Sequence, residues 1–224
     1  MKSLSVQKVS RFDFTDSVSF PDSSGSIALA GNTLTISNDI LQPFTCTYNI
    51  TVNEDILVKD METGKFVPTD EYKKSTTFPA FYDQTKGILF LMAPSIISKG
   101  FMKELINSYG PKLATSGVYD FDFTKISRFE VRASGIYFNV DDDTDVDTKH
   151  FFGSGVQDND EVIDAIDKDN ATYLMAKIDV DGEQRTIGFS KKGTLVIYSK
   201  LNDDGVEQPY LQLAIDTLIA ISQQ

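Results

Sequence analysis

Apolar and polar residues alternate with a period near two through much of the chain, the pattern of strands that bury one face. Between Val6 and Phe20 the apolar positions are Val9, Phe12, Phe14, Val18 and Phe20. Ile27–Leu29 and Thr33–Ile36 are short β runs that predict a hairpin turning at Gly31-Asn32. Phe44–Val52 alternates and is rich in Thr. Ile56–Val58 and Phe66–Val67 flank Glu62-Thr63-Gly64-Lys65 and predict another hairpin, ending at Pro68, with Asp70–Lys74 as a charged connector. Residues 1–70 therefore read as all β.

The stretch from Thr76 to Gly110 reads as strand, turn, strand, helix. Pro79 has no N–H to give a ladder, so Phe78–Tyr82 is expected at a sheet edge or a strand start. Ile88–Met92 is apolar throughout, as a strand buried on both faces would be. Pro94 and Ser95 break that run. A helix is predicted from Ser98 to Tyr109, with Phe101, Met102, Leu105, Ile106 and Tyr109 on one stripe. Ser98 suits the N-cap, and Gly110 the stop before Pro111.

Further on, Val118–Phe123, Ile126–Val131 and Ile136–Val140 read as strands. Asp158–Lys168 reads as a short helix, with Asp158 and Glu161 at capping-box spacing. Asp181-Gly182 between Tyr173–Val180 and Arg185–Phe189 is a strong hairpin signal. Thr194–Lys200 follows as a strand, and Pro209 opens a last helix that runs to about Ile221. The apolar stripe of that helix is wide, which implies either deep packing or self-association.

These elements define an α+β protein, mostly antiparallel β-sheet with a few short helices. They also suggest two similar β-hairpin-plus-helix lobes. Phe12-Asp13-Phe14-Thr15 returns as Phe121-Asp122-Phe123-Thr124, and Gly87-Ile88-Leu89-Phe90-Leu91 resembles Gly193-Thr194-Leu195-Val196-Ile197. The helix starts near Ser98 and Glu207 lie at a similar offset. An N-terminal lobe over 1–115 and a C-terminal lobe over 116–224 follow, as two units or one continuous domain.

Charge changes this picture more than composition does. The chain carries 21 Lys+Arg and 33 Asp+Glu, a formal net charge of −12. Residues 1–140 are nearly neutral, at 14 basic against 15 acidic, whereas 141–183 hold 3 against 14. A uniform negative charge would repel nucleic acid. A local one leaves the rest of the chain free to carry a basic face.

Candidate chemistry is sparse. A single cysteine, Cys46, cannot form an internal disulfide, and Met1–Phe14 carries charges with no apolar core of a leader, so a cytoplasmic protein is expected. The apolar runs at 87–93 and 211–221 are shorter than the roughly 18–20 residues a membrane span needs, so no membrane insertion is expected. The single histidine, His150, has no second histidine or cysteine to complete a metal site or a catalytic pair. Asp141, Asp143 and Asp145 have calcium-loop spacing, but Val146 stands where the loop needs Gly and Phe152 where it needs Glu. No Walker or Rossmann glycine pattern occurs, and nothing calls for a cofactor.

For nucleic acid, the candidate cations are Lys73, Lys74, Lys86, Lys99, Lys103, Lys112, Lys125, Arg128, Arg132, Arg185, Lys191 and Lys192. Lys99 and Lys103 stand at i, i+4 on one helix face, where they either meet phosphates or form an ordinary solvated face. The acidic run Asp141, Asp142, Asp143, Asp145 and Asp147 would instead suit a basic protein partner. An enzyme with a carboxylate-only site is a third reading.

Thr77-Phe78-Pro79-Ala80-Phe81, with the hairpin and amphipathic helix that follow to Tyr109, resembles a segment of phage-exclusion proteins of the Rex type and of the related Kiwa B defence proteins. The end of the chain is similar too. There Leu174–Val180, Asp181-Gly182, Arg185–Phe189, Ser190-Lys191-Lys192-Gly193-Thr194-Leu195 and the helix after Pro209 follow one another. The resemblance implies a cytoplasmic, non-enzymatic, dimerising protein that binds double-stranded DNA in defence against phage. Taken with the charge reading, the expected DNA contacts are the cations near 99–132 and 185–192: Lys99, Lys103, Lys112, Lys125, Arg128, Arg132, Arg185, Lys191 and Lys192. The acidic 141–183 stretch departs from a simple DNA binder. It keeps open an acidic module, a DNA mimic or inhibitor, aimed at a nucleic-acid-handling protein.

Overall fold

The computed structural model describes residues 1–128, 132–140, 146–201 and 205–222, with the side chains of Arg128 and Arg132 left aside. In chain order the elements are β1 (Lys2–Phe12), β2 (Val18–Ser19), β3 (Gly25–Leu29), β4 (Leu34–Ile36), β5 (Asp39–Lys59), β6 (Phe66–Asp83), β7 (Ile88–Leu91) and α1 (Ser95–Tyr109). They continue with β8 (Leu113–Val118), α2 (Phe123–Arg128), β9 (Arg132–Asn139), β10 (Thr148–Phe152), α3 (Asp160–Asp167), β11 (Ala171–Val180), β12 (Glu183–Ser190), β13 (Thr194–Ile197) and α4 (Pro209–Ser222).

Among the described residues, 13 strands form one sheet in the order β10-β9-β11-β12-β13-β1-β7-β6-β5-β3-β2, with β4 on β5 and β8 on β1. Every described pairing is antiparallel. β1 is the shared strand. Lys2–Ser5 pair with Ile197–Thr194, Ser5–Lys8 with Leu91–Ile88, and the rest of β1 with β8 across two bulges. The division at 115/116 falls inside β8, and the sheet runs through it without interruption.

Alternation on the central strands feeds a core on each face. Phe90 of β7 enters the core closed by α4, together with Leu195, Ile197, Leu211 and Ile215. Its neighbours Leu89 and Leu91 enter the opposite core, closed by Phe101 and Leu105 of α1. This is why Ile88–Met92 reads as continuously apolar. The wide stripe of α4 is used inside the chain: Leu211, Leu213, Ala214, Ile215, Leu218 and Ile221 are all buried. Of the two meanings that stripe could have, deep packing is the one the structure contains.

Several local expectations change. Gly31-Asn32 joins no hairpin: β3 and β4 both pair with β5, and the tight turn is Ser37-Asn38, with φ of 47° and 72°. The connector Asp70–Lys74 is part of β6, which forms with β5 one long ribbon. Phe121 and Phe123 are buried, but in the connection before α2 and in α2 itself, not in a strand, and Ile126 lies in α2. Residues 129–131 of the expected strand at 126–131 lie outside the described residues. α1 begins three residues before Ser98, whose hydroxyl bonds the Ala93 carbonyl at 3.3 Å instead of capping. α3 is capped by Asn159, not Asp158. The hairpin at Asp181-Gly182 forms as expected, with φ of 55° and 78°.

Pro79 sits between two neighbouring strands and not at an edge. Its carbonyl accepts from Met92 N–H at 3.0 Å, so its nitrogen points to the same side, just past the end of β7 at Leu91. No ladder bond is lost there. Pro43 of β5 repeats the arrangement past the end of β3, where its carbonyl accepts from Ala30 N–H at 3.1 Å.

Candidate nucleic-acid interface

α1 covers β1, β5, β6 and β7 but stops short of β13. At its margin a groove of about 710 Å³ opens between the helix, β1, Val118 at the end of β8, and the β12–β13 turn. Helical spacing puts Ile96, Lys99, Lys103 and Ile106 along one wall. Ile96 is 76% exposed, unusual for its side chain, and lies one turn from the Lys99 ammonium. The β12–β13 turn supplies Lys191 and Lys192 from the other side.

The four lysines are not equivalent. The Lys191 ammonium lies 2.6 Å from Asp169 and 4.0 Å from Asp120, and 5.0 Å from the Phe123 ring centre. Its charge is used locally. Lys99, Lys103 and Lys192 are exposed and have no ion-pair partner among the described residues.

The floor is polar where a core would be apolar. Ser5 and Gln7 of β1 are buried, and Gln7 Nε2 donates to Ser5 Oγ at 2.9 Å. Thr194 is the partner of Ser5 across the β1–β13 ladder, so both side chains share this face. Thr194 is 6% exposed, yet its Oγ1 has no hydrogen-bond partner among the described residues. A buried hydroxyl left so costs about 1–3 kcal/mol. Sequence reading missed Ser5, Gln7 and Thr194, because short polar residues in strands carry no signal until the partner strand is known.

The other expected DNA contacts disperse. Lys112 is in the turn after α1, outside the groove, and Lys125 is exposed on α2. The side chains of Arg128 and Arg132 lie outside the described residues. Arg185 lies on the α4 side of the sheet, ion-paired to Glu183 in a pocket of about 210 Å³ with Asp181, Gln212 and Asp216. Lys73 donates to the Asp22 carbonyl, and Lys86 bonds Asp39 at 2.6 Å.

Asp141, Asp142, Asp143 and Asp145 lie outside the described residues. Asp147 is exposed just before β10. On α3, Glu161 pairs with Lys149 at 2.7 Å and Asp164 with Lys168 at 2.8 Å, while Asp160 and Asp167 face solvent. One carboxylate pair stands apart from this surface. Asp181 is held above the usual carboxylate range, first by the charge of Asp216 and also by a hydrogen bond with it. Asp216 in turn accepts from Gln212 Nε2 at 2.8 Å and from the Ser37 hydroxyl.

No protein-family model and no curated protein matches the chain. Among the described residues, no helix is long and apolar enough to cross a membrane.

Proposed function

We propose that this chain binds double-stranded DNA without sequence preference, with a phosphate backbone lying along the groove between α1 and the β12–β13 turn. One observation carries the reading: Lys99 and Lys103 converge with Lys192, from a turn some ninety residues further along the chain, on one groove. Each phosphate neutralised by a lysine releases condensed counterions, so three contacts give a log–log salt slope of roughly −3. The net charge of −12 argues for weak binding at physiological salt. Lys191 helps here, because it neutralises Asp169 beside the site.

The setting we infer is phage exclusion or phage defence, without catalysis. The segment Thr77–Tyr109 that carries that resemblance also supplies the α1 wall of the groove. A homodimer, which the same resemblance implies, would form through a surface other than the buried stripe of α4. We also read the chain as two related hairpin-plus-helix units. β6–β7–α1 and β12–β13–α4 flank β1, and the carbonyls of Gly87 and Gly193 accept from Val9 and Val6 of β1, each at 2.7 Å.

A mobility-shift titration of a random duplex at two salt concentrations tests the reading. The expected result is a shift that weakens steeply with salt and disappears in the Lys99→Glu/Lys103→Glu variant. Unchanged binding by that variant overturns it. The acidic-module reading is supported by the exposed carboxylates of α3 and of Asp147. It gains if no duplex binds while a basic nuclease or helicase is retained and the Asp160→Asn/Asp167→Asn variant releases it.

A further inference from the structure

Among the described residues, no helix lies over the strands beyond β13 on the side of the sheet that α1 occupies: α2, α3 and α4 pack into the opposite core. The pleat places Thr194, Val196 and, just past β13, Tyr198 on that face, then Ser190, Gly188 and Thr186 of β12. Tyr173, Met175 and Lys177 of β11 come next, followed by Gly135 and Tyr137 of β9. His150 and Phe152 of β10 complete the face. The alternate residues of the same strands, such as Ile136, Leu174, Ile187 and Leu195, are buried in the α4 core.

Five rings thus stand on an open antiparallel sheet. Tyr137 is their hub, with ring centres at 5.4 Å to His150, 5.5 Å to Phe152 and 5.6 Å to Tyr173. Tyr173 reaches across β12 above Gly188 and bonds the Tyr198 hydroxyl at 2.7 Å. Phe152 lies over Gly135, where a Cβ would come within 2.7 Å of its ring. Two strand positions that a side chain would normally fill are therefore glycines under aromatic rings. Three of the rings are open, with Phe152 56% exposed, Tyr198 40% and His150 also exposed, whereas Tyr137 and Tyr173 are half-buried. From β10 to β13 the row spans roughly 19 Å at about 4.8 Å per strand.

The exposed rings of Tyr198, His150 and Phe152, with the hydroxyls between them, offer stacking surface to planar ligands. The charge at the borders selects among such ligands. Lys177 is exposed on this face, and at the β13 end the row runs past Ser190 and Thr194 into the groove with Lys192, Lys99 and Lys103. Stacking faces bordered by cations fit a single-stranded nucleic acid, whose bases stack on the rings while its phosphates meet the lysines.

We propose that this aromatic face binds the unpaired bases of DNA that continues from a duplex held in the lysine groove, so that the preferred ligand is a junction of double and single strand. The proposal rests on the duplex reading above for its DNA identity and for its continuity with the groove. The rings themselves are separate residues and can be tested separately.

Fluorescence anisotropy with four labelled probes makes the test: a random duplex, the same duplex with an oligo-dT overhang, oligo-dT alone and oligo-U alone. The overhang is expected to tighten binding about tenfold or more over the blunt duplex, since each stacked base contributes on that scale. Phe152→Ala/Tyr198→Ala should remove that gain and the oligo-dT signal while leaving blunt-duplex affinity unchanged. Both residues are exposed, so the fold should survive loss of the Tyr173–Tyr198 bond, with a cooperative melt well above the assay temperature as the check. Phe152→Leu, which keeps apolar area but not the ring, should lose part of the gain. Lys99→Glu/Lys103→Glu should remove blunt-duplex binding. An overhang that adds nothing in the native protein overturns the junction proposal while leaving the duplex reading intact. No binding to any probe overturns both. Tighter binding of oligo-U than of oligo-dT overturns the assignment to DNA.

Discussion

A Cβ placed on Gly188 would run into the hydroxyl of Tyr173. No rotation of a methyl group relieves so close an approach, and the phenol is held in place by Tyr198 on the far side. Gly188→Ala is therefore expected to cost about 1–3 kcal/mol, the range of overpacked sites. In the Tyr173→Ala background the same change should cost far less. A double-mutant cycle by urea denaturation reads the coupling, and additive effects would show that the ring does not lie across the glycine.

The Asp181–Asp216 pair predicts a pH dependence. Asp181 titrates above the usual carboxylate range because Asp216 opposes its ionisation. A raised acid binds its proton more tightly in the folded state. Its contribution is thus favourable at low pH and is lost as pH rises through the folded value. Asp181→Asn removes the repulsion, and Asn also accepts the positive φ of this turn. The variant should melt higher than the native protein at neutral pH, and the difference should shrink below the carboxylate range. A pH-independent difference would leave only the turn effect.

Cys46 is fully buried, and desolvation pushes its thiol well above the ordinary value. A buried neutral thiol is a poor nucleophile. In native conditions a thiol reagent should label it only as fast as the sheet opens, and in denaturant at once. Rapid native labelling would place Cys46 elsewhere than between Phe44 and Phe78 of the α1 core.

The β5–β6 ribbon extends beyond its neighbours. β3 pairs with β5 only through Gly25–Leu29, and β7 with β6 only through Ala80–Asp83. The tip leaves Leu57, Met61 and Phe66 exposed. Replacing 54–70 by Asn-Gly, which joins the paired residues Asn53 and Glu71, should leave both cores intact. We expect a melting temperature within about 4 °C of the native one, the shift that ~1 kcal/mol produces in a chain of this size. A larger loss would mean the ribbon supports the body.

Short-range signals in the sequence were reliable where the deciding chemistry was local. Asp181-Gly182 defines its hairpin because both residues accept positive φ. The apolar run at β7 read correctly because it is buried on both faces by its own chain, whereas the stripe of α4 left packing and self-association open until its burial was seen. Other features depend on partners far along the chain. Ser37-Asn38 turns a hairpin without the usual glycine, and the place of Pro79 depends on where β7 ends. For the site, the i, i+4 pair Lys99 and Lys103 was legible from helical spacing. That Lys192 joins them while Lys191 is taken up by Asp169 depends on the fold of the β12–β13 turn. His150 drew notice only as a lone imidazole. Its place beside Tyr137 becomes visible only once β10, an element the periodicity did not reveal, is laid against β9.

Because β1 is the shared strand, the order of synthesis opposes the order of assembly. Lys2–Ser5 leave the ribosome well before Thr194–Ile197 and must wait for them. At 5–20 residues per second that delay is roughly 10–40 s. Until then Leu4 and Val6, both fully buried in the finished sheet, belong to a strand with an open edge. A nascent or truncated chain that ends before β13 should therefore be a client for chaperones and a seed for edge-to-edge association. Translation of β13 is the step that closes the sheet on that side of β1.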